Sequence, residues 1–202
     1  FVNHHLCHAA AAFYASPFDE AAIFTADWRG ELQCGMYGVG RGGNIEVLDR
    51  LMLPNSLGMF YATFTELLGY RPDNDEWKVM ALSAFDVDAS REVDAILQTL
   101  TPTVNGWFEL DQTFYKGADV QTPHLYTRKL VDALGGRIGQ PGEEPDAWHM
   151  RVARAMQTVS EQLATSALAY LHGVTQLKKV VLGGGFFMNS VFNGRITESG
   201  PF

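Results

Sequence analysis

Apolar and polar positions in the first quarter of the chain predict three consecutive strands. Apolar runs at residues 21–26, 33–39 and 45–53 are short and rich in residues that favour strands. The turn-prone Trp28-Arg29-Gly30 and a glycine cluster at residues 38–43 separate them. We therefore expect a β-meander, in which neighbouring strands are antiparallel.

Helices are expected over most of the remaining chain, because apolar residues there recur three and four positions apart. They are predicted at residues 57–68 (stopped by Gly69), 75–85, 90–100 (capped by Ser90), 126–134 and 187–196. The clearest helix carries an apolar stripe from Trp148 to Tyr170, with Arg151, Arg154 and Glu161 on its other faces. A loop rich in glycine and proline at residues 135–145 and short strands at residues 107–110 and 179–182 complete the pattern. This alternation indicates an α/β fold.

The composition is that of a soluble globular protein. The 202 residues are 47% hydrophobic and 12% aromatic, which is ample for a buried core. A net charge of −8 argues against a nucleic-acid-binding surface. With two cysteines and no apolar run of about 18 residues, neither a disulfide framework nor a membrane span is expected. We therefore expect a cytoplasmic protein with no nucleic-acid or membrane partner.

The densest chemistry lies in His4-His5-Leu6-Cys7-His8, which precedes an alanine run. If the following residues continue a helix through the histidines, His4 and His8 lie one turn apart on the same face. Asp27, at the end of a predicted strand, supplies the carboxylate that commonly joins two histidines at a metal. Such a set leaves coordination positions open for Lewis-acid chemistry or for anchoring a substrate. The alternative is that these histidines are capping or core residues.

A second candidate site is Gly183-Gly184-Gly185, between a predicted strand and a predicted helix. Consecutive glycines let a ligand approach backbone amides, and the N-terminus of the following helix favours anions. Asn189 and Asn193 are candidates to bind the same ligand. Replacing Gly184 by Val is expected to weaken binding of that ligand with little change in metal content. The alternative is a tight strand-to-helix turn.

Two further stretches carry weaker signals. Asp75-Glu76-Trp77-Lys78 begins a predicted helix, where carboxylates offset the helix dipole, so by itself it indicates a structural role. The segment at residues 101–123 has weak periodicity and indicates a surface insertion that contributes to substrate choice.

Five motifs, taken in order, resemble the signatures of the O-carbamoyltransferases, which carbamoylate aminoglycosides, cephamycins and nodulation factors. They are His-His-Leu-Cys-His-Ala-Ala (4–10), Ala-Asp-Trp-Arg-Gly-Glu (26–31), Ser-Leu-Gly-Met-Phe-Tyr (56–61), Asp-Glu-Trp-Lys-Val-Met (75–80) and Gly-Gly-Gly-Phe-Phe-Met-Asn-Ser-Val-Phe-Asn-Gly-Arg-Ile (183–196). The resemblance spans essentially the whole chain. One departure is Trp28, which stands where the family usually has glycine and is expected to narrow the pocket or stack on a ligand.

The resemblance implies a fragment of an actin/sugar-kinase/Hsp70-like (RNase H-like) fold, akin to the enzymes of tRNA threonylcarbamoyl transfer. Residues 1–20 correspond to the tail end of the first actin-like subdomain, which carries the histidine motif. Residues 21–202 correspond to most of the second subdomain, truncated at its C-terminal end. The family's first phosphate loop is expected before Phe1, and a further aspartate ligand and a YrdC-like domain are expected beyond Phe202.

The resemblance also implies roles for particular residues. His4, His8 and Asp27 are implied to be metal ligands. Nucleotide binding is implied for Gly183, Gly184, Gly185 and Asn189. Glu76 and Lys78 are implied to lie near the nucleotide. The implied metal is Fe(II) or another divalent ion. His5, beside the ligands, is a candidate general base for the acceptor hydroxyl. The alternative for His5 is a helix histidine whose hydrogen bonds are satisfied within the fold.

The implied activity is ATP-dependent carbamoyl transfer in natural-product or glycan biosynthesis. Carbamoyl phosphate and ATP would form carbamoyl-adenylate in the YrdC-like domain with Mg²⁺, and the actin-like domain would pass the carbamoyl group to the hydroxyl of a small-molecule or sugar acceptor. The fragment alone is expected to be inactive. The alternatives are a sugar-kinase-like or other ATP-using enzyme of the same fold, or a non-catalytic module that binds metal and nucleotide.

Overall fold

The computed structural model describes residues 2–117 and 123–202 as a mixed α/β structure, which confirms the predicted class. Its helices are α1 (His4–Tyr14), α2 (Leu57–Leu67), α3 (Glu76–Leu82), α4 (Ser90–Leu97), α5 (Arg128–Ala133), α6 (Ala147–Thr175) and α7 (Ser190–Ser199). Its strands are β1 (Glu20–Gly30), β2 (Gln33–Arg41), β3 (Asn44–Met52), β4 (Leu100–Pro102), β5 (Phe108–Leu110) and β6 (Val180–Gly183).

The larger sheet has four strands in the order β3-β2-β1-β6. β1 and β2 are antiparallel, as are β2 and β3, which confirms the predicted meander. β6 returns after a long helical connection and pairs in parallel with β1, with Phe24 opposite Leu182. A parallel partner requires such a connection, because a tight turn can only reverse the chain.

The first boundary between strands differs from the prediction. Trp28-Arg29-Gly30 is not a turn, because β1 continues to Gly30, which pairs with Gln33. Ala26 pairs with Gly35, so β1 has two more residues than β2 between these pairs and forms a β-bulge. The sequence suggests a turn at residues 28–30 because Arg29 and Gly30 are residue types that are common in turns. The ladder resumes after the bulge and places the reversal at residues 31 and 32.

The predicted glycine separator also lies largely within a strand. β2 runs to Arg41, and the reversal to β3 falls at Gly42 and Gly43, where Gly42 has φ +56°. Gly40 is required inside the strand, because a Cβ there would lie 2.6 Å from ring atoms of Phe13. The missing side chain lets α1 pack closely on the sheet.

Helix α1 covers one face of the sheet near β1, β2 and β6. Its apolar side joins a buried cluster that comprises Ala9, Phe13, Ala21, Ile23, Met36 and Val181. Burial of each of the larger side chains, Phe13, Ile23, Met36 and Val181, contributes about 1.5–3 kcal/mol, and each alanine contributes less. This packing holds the histidine-bearing helix against β1.

The chain divides into two compact units. The first comprises Phe1–Gly58, Thr103–Trp107 and Leu163–Phe202, and the second comprises Met59–Pro102 and Phe108–Gln162. Helix α1 belongs to the same unit as β1. The proposed subdomain boundary at residue 20 stays a prediction.

Helices α3 and α4 of the second unit are shorter than predicted. α3 ends at Leu82, and α4 begins at Ser90, so Ser90 is not the cap residue. Its backbone N–H and hydroxyl instead donate to the carboxylate of Asp88. α4 ends before Leu100, because that residue pairs with Leu110 in the β4–β5 hairpin. Leu100 can either continue the helix or pair with a strand ten residues away, and the helical spacing of apolar residues does not indicate which of the two occurs.

The segment at residues 101–123 is less exposed than an insertion would be. Its aromatic residues Trp107, Phe108, Phe114 and Tyr115 are buried. Trp107 stacks on Tyr37 in the first unit, with ring centroids 3.8 Å apart. Residues 118–122 of this segment lie outside the described residues.

Helix α6 is longer than predicted, and one of the polar residues on its other faces is buried. Glu161 does not face solvent but is buried, with 7% of its surface exposed. Its carboxylate accepts a hydrogen bond from Gln157 Nε2 at 2.7 Å, and Tyr61 donates to Gln157 Oε1 at 3.0 Å. A residue outside the apolar stripe of a helix can still be buried by another element. The helical period of the sequence does not indicate such burial. None of the helices in residues 2–117 and 123–202, α6 included, has the length and apolar character needed to cross a membrane.

Candidate metal centre

Helix α1 presents two histidines on one face, as predicted. Asn3 caps the helix by accepting a hydrogen bond from the backbone N–H of Leu6 at 3.2 Å. One helical turn separates His4 and His8, and their Nε2 atoms lie 3.0 Å apart. Cys7 is exposed. The helical arrangement inferred for this motif is confirmed.

Asp27 reaches the two histidines from the bulge of β1. Its Oδ2 atom lies 3.1 Å from His4 Nε2 and 2.8 Å from His8 Nε2. Its other oxygen, Oδ1, accepts the backbone N–H of Trp28 at 2.8 Å. Bulges redirect side chains next to functional sites, and here the bulge directs one carboxylate oxygen at both imidazoles.

The spacing of the three donor atoms fits a divalent metal ion. Two metal–ligand bonds of about 2.1 Å that meet at a right angle end about 3.0 Å apart. The observed separations of 2.8, 3.0 and 3.1 Å match this spacing on all three sides. Two imidazoles and one carboxylate form a donor set that suits iron and zinc. The side chains of His4, His8 and Asp27 are 38%, 32% and 22% exposed, so a further ligand has access.

The protonation of Asp27 also suits a ligand role. Burial by itself raises the pKa of the Asp27 carboxyl, but hydrogen bonds from His4, from the Trp28 N–H and from His8 lower it further than burial raises it. The net result is a pKa below the ordinary value, so the carboxylate is ionised at neutral pH. Metal ligation requires this form.

A buried serine supports the backbone that carries Asp27. Ser56 Oγ lies 3.0 Å from the carbonyl oxygen of Asp27 and 2.6 Å from that of Trp28, within donating distance of both. Beside it, a Cβ at Gly58 would lie 2.5 Å from the Trp28 nitrogen, so glycine permits the close approach. Sequence reasoning assigned no role to either residue. The available signal was their place in the third family motif.

The glycine run, Gly183-Gly184-Gly185, lies against the candidate metal cluster, which is formed by His4, His8 and Asp27. A Cβ at Gly183 would lie 2.9 Å from the His8 carbonyl oxygen, and one at Gly185 would lie 3.1 Å from Asp27 Oδ1. At Gly184 a Cβ would overlap the carbonyl oxygen of Ala26, and the backbone φ of +98° favours glycine as well. These glycines therefore have a packing role beside the candidate metal cluster.

The helix after the glycine run begins later than predicted. Gly185–Met188 form a 3-10 turn, and α7 begins only at Ser190. Asn189 caps this helix by accepting the Phe192 N–H at 3.1 Å. Asn193 Nδ2 donates to the carbonyl of Phe187 at 2.7 Å. Both amides thus make local hydrogen bonds, and the role of Asn189 in nucleotide binding stays a prediction.

His5 points away from the metal cluster into the core. Its side chain is fully buried, and its Nδ1 atom lies 2.8 Å from Thr25 Oγ1. Burial is the largest influence on its pKa and lowers it. The assignment of His5 as a general base stays a prediction.

Glu76 and Lys78 belong to the second unit, whereas the metal cluster belongs to the first. Glu76 accepts the backbone N–H of Asp73 at 2.7 Å, and burial raises its pKa. Lys78 forms an ion pair with Asp75 at 2.9 Å and lies over the ring of Trp77. The proposed place of these two residues near a nucleotide stays a prediction.

The chain belongs to the carbamoyltransferase N-terminus family, whose model matches residues 1–202. This match confirms the family resemblance that the five motifs indicated. Both the histidine motif and the glycine run therefore lie in a region that defines this family.

Relatives with the same region come from several bacteria. Nodulation protein NolO of Bradyrhizobium diazoefficiens is 30% identical over 202 residues, which cover 100% of this chain and 34% of that protein. Nodulation protein NolNO of Sinorhizobium fredii is 28% identical over 204 residues, covering 100% of this chain and 28% of that protein. The uncharacterized protein sll1178 of Synechocystis sp. is 30% identical over 203 residues, covering 100% of this chain and 32% of that protein. The chain thus spans about a third of the length of these relatives.

Proposed function

We propose that the protein is an ATP-dependent O-carbamoyltransferase. It would move a carbamoyl group from carbamoyl phosphate, through carbamoyl-adenylate, to an acceptor hydroxyl in natural-product or glycan biosynthesis. The observation that carries this proposal is the convergence of His4, His8 and Asp27 within a chain of the carbamoyltransferase N-terminus family. The proposed acceptor is a sugar or a small molecule, because the chain resembles enzymes that carbamoylate aminoglycosides, cephamycins and nodulation factors, and two of its relatives are nodulation proteins.

The metal proposed for this site is Fe(II) or another divalent ion. Such an ion, when bound, supplies Lewis-acid chemistry that polarises a carbonyl and stabilises charge that develops on its oxygen. His4, His8 and Asp27 would hold it, and the Trp28 N–H keeps Asp27 Oδ1 turned away so that Oδ2 faces the histidines. The partial exposure of all three side chains leaves one side of the site open to the carbamoyl group.

The nucleotide part of the proposal rests on the position of the glycine run. Gly185 lies beside Asp27, and Gly183 lies beside His8, so a phosphate or adenylate bound at this turn would be close to the metal ligands. Glycines permit close approach to backbone N–H groups, which favour anions. Trp28 is partly exposed next to Asp27 and is proposed to narrow this approach or to stack on the ligand.

The actin-like fold and a YrdC-like partner domain are part of the same proposal. A sheet of three antiparallel strands joined to a parallel fourth, with helices packed on it, supports an RNase H-like arrangement. In this arrangement the YrdC-like domain would use Mg²⁺ to form carbamoyl-adenylate, with release of phosphate from carbamoyl phosphate and of pyrophosphate from ATP. The present region would bind the adenylate and orient its carbonyl towards the acceptor.

The proposal is tested with the complete protein. Bound metal and bound nucleotide are measured together, and pyrophosphate release from ATP is followed with and without carbamoyl phosphate. We expect bound divalent metal, and pyrophosphate release that depends on carbamoyl phosphate. An Asp27→Asn variant should lose metal, whereas Cys7→Ser, on the same helix, should retain it.

The same measurements distinguish the other functions of this class of fold. Transfer of the ATP γ-phosphate to a sugar, without any requirement for carbamoyl phosphate, would indicate a kinase-like enzyme. Metal and nucleotide binding without any pyrophosphate release would indicate a non-catalytic module. Either result would refute the carbamoyltransferase proposal.

A further inference from the structure

A buried hydrogen bond joins the helix and the strand that carry the metal ligands. His5 Nδ1 lies 2.8 Å from Thr25 Oγ1, and both side chains are completely buried. His5 is adjacent to His4 in α1, and Thr25 precedes Asp27 by two residues in β1. The bond therefore joins α1 to β1 at a point that is one residue from His4 in the helix and two residues from Asp27 in the strand.

Thr25 is held firmly in the sheet. It pairs with Met36 of β2 on one side and with Gly183 of β6 on the other. A central strand residue with partners on both sides has little freedom to shift along the strand. Thr25 thus offers a fixed reference point for α1.

Apart from the ligand contacts to Asp27, and from a hydrogen bond that the Tyr14 hydroxyl at the far end of α1 donates to the Gly43 carbonyl at 2.8 Å, the other contacts between α1 and the sheet are not directional. Ala9 and Phe13 pack against apolar side chains, and Gly30 and Gly183 permit close approach without forming a polar contact to α1 through a side chain. Apolar contacts are roughly proportional to the area buried and tolerate small sliding movements. A hydrogen bond, in contrast, weakens steeply when its distance or angle changes.

Metal coordination requires a directional contact such as the His5–Thr25 hydrogen bond between the elements that carry the ligands. Productive ligand constellations must be held within about 0.5 Å, which packing alone achieves poorly unless hydrogen bonds lock the supporting residues. A shift of α1 along β1 would change both histidine–Asp27 separations together. The His5–Thr25 bond opposes such a shift, because it would stretch before the ligand spacing was lost.

We propose that His5 and Thr25 are positioning residues that fix α1 against β1 and thereby set the spacing of His4, His8 and Asp27. This inference rests on the proposed metal site and adds to it two residues that hold the ligands in place. Hydrogen bonds made directly to metal ligands typically contribute about 10–100-fold to metal affinity, and the lower end of this range is expected of a bond between the residues that flank the ligands. This role differs from general-base catalysis by His5, which would leave metal affinity unchanged when His5 is replaced.

The test uses Co²⁺ as the probe in the complete protein. Thr25→Val removes the hydroxyl with little change in shape, and Thr25→Ser restores a hydroxyl. Thr63→Val is a matched control, because Thr63 is also fully buried and donates its hydroxyl to the Met59 carbonyl in the second unit. The readouts are the Co²⁺ dissociation constant, the visible d–d absorption bands and the thermal unfolding of the metal-free protein.

We expect Thr25→Val to weaken Co²⁺ binding about tenfold or more and to change the d–d bands, and Thr25→Ser to restore much of both. Thr63→Val should leave affinity and spectrum unchanged whatever its effect on unfolding. His5→Phe, which keeps an aromatic ring and removes both ring nitrogens, carries the same expectation as Thr25→Val and replaces it if that variant does not fold.

Two outcomes would overturn the inference in distinguishable ways. If His8→Ala abolishes Co²⁺ binding while Thr25→Val and His5→Phe keep the wild-type affinity and spectrum, the metal site stands and the positioning role is refuted. If the wild-type protein does not bind Co²⁺, or if His8→Ala binds it as tightly, the proposed metal site fails and the inference fails with it.

Discussion

A Cβ atom at Gly30 would overlap the Cβ atom of His4, so the last residue of β1 lies directly against the helix that carries the two histidines of the proposed metal site. Gly30 is buried and follows the bulge that redirects Asp27. The end of the strand therefore defines the space in which the first ligand histidine lies.

Replacing Gly30 by Ala tests this contact. The added methyl group would displace His4, so we expect metal affinity to fall about tenfold and the free energy of unfolding to fall by about 1–3 kcal/mol. Gly43→Ala is the matched control, because a Cβ there would meet nothing within 4 Å. Metal titration and denaturant unfolding measure both effects. Wild-type metal affinity in a folded Gly30→Ala protein would show that the position of His4 at the metal site does not depend on its contact with Gly30.

His8→Ala tests the ligand assignment itself. It removes one of the three donor atoms, so metal content and carbamoyl transfer should fall together in the complete protein. Cys7→Ser changes the neighbouring, exposed residue of α1 and should leave both unchanged. Elemental analysis and an assay of transfer provide the measurements. The opposite pattern, with metal lost from Cys7→Ser and kept by His8→Ala, would refute the assignment.

Substitution of Gly184 has a broader expected effect than the sequence suggested. A Cβ there would overlap the Ala26 carbonyl oxygen, next to Asp27, and φ is +98°. We therefore expect Gly184→Ala to reduce stability by about 1–3 kcal/mol and to lower metal affinity as well as nucleotide affinity.

Gly194→Ala provides the comparison for Gly184→Ala. Gly194 lies within α7, where a Cβ would meet nothing within 4 Å, so the change should stabilise the helix by up to about 1 kcal/mol. Thermal unfolding, metal titration and adenylate binding are measured on both variants. A Gly184→Ala protein with normal metal affinity and weakened adenylate binding would indicate that the turn acts on the nucleotide alone.

The stability of the second unit should depend on pH through Asp146. Hydrogen bonds from Arg137 and then from His149 hold the pKa of the Asp146 carboxyl well below its ordinary value. Because the folded-state pKa is depressed, the ionised carboxylate stabilises the fold above the unfolded-state pKa of about 3.9, and this stabilisation is lost as pH falls from there through the folded-state pKa.

Asp146→Asn tests this dependence. Between about pH 5 and about pH 3, around the unfolded-state pKa, the variant should show a shallower decline in melting temperature than the wild type. Asp94→Asn, at an exposed position of α4, should keep the wild-type slope. Parallel slopes for the wild type and Asp146→Asn would exclude Asp146 as the source of acid sensitivity.

The sequence by itself determined the local features of this protein. The spacing of His4 and His8 placed both on one face of a helix, because a helix repeats every 3.6 residues and neighbouring residues enforce that period. The meander was likewise predictable, because short apolar runs with turns between them pair with their neighbours in the chain. Five ordered motifs were enough to indicate the family.

Only the tertiary structure decided which of these features meet. Asp27 faces the histidines because a bulge in β1 redirects it, and a bulge depends on the pairing of β1 with β2. Ser56 and the glycine run reach the same cluster from about 30 and 155 residues further along the chain, and the buried position of Glu161 depends on what covers α6. Local periodicity determines how side chains are arranged along one element, whereas contacts between elements depend on packing among residues that are far apart in sequence.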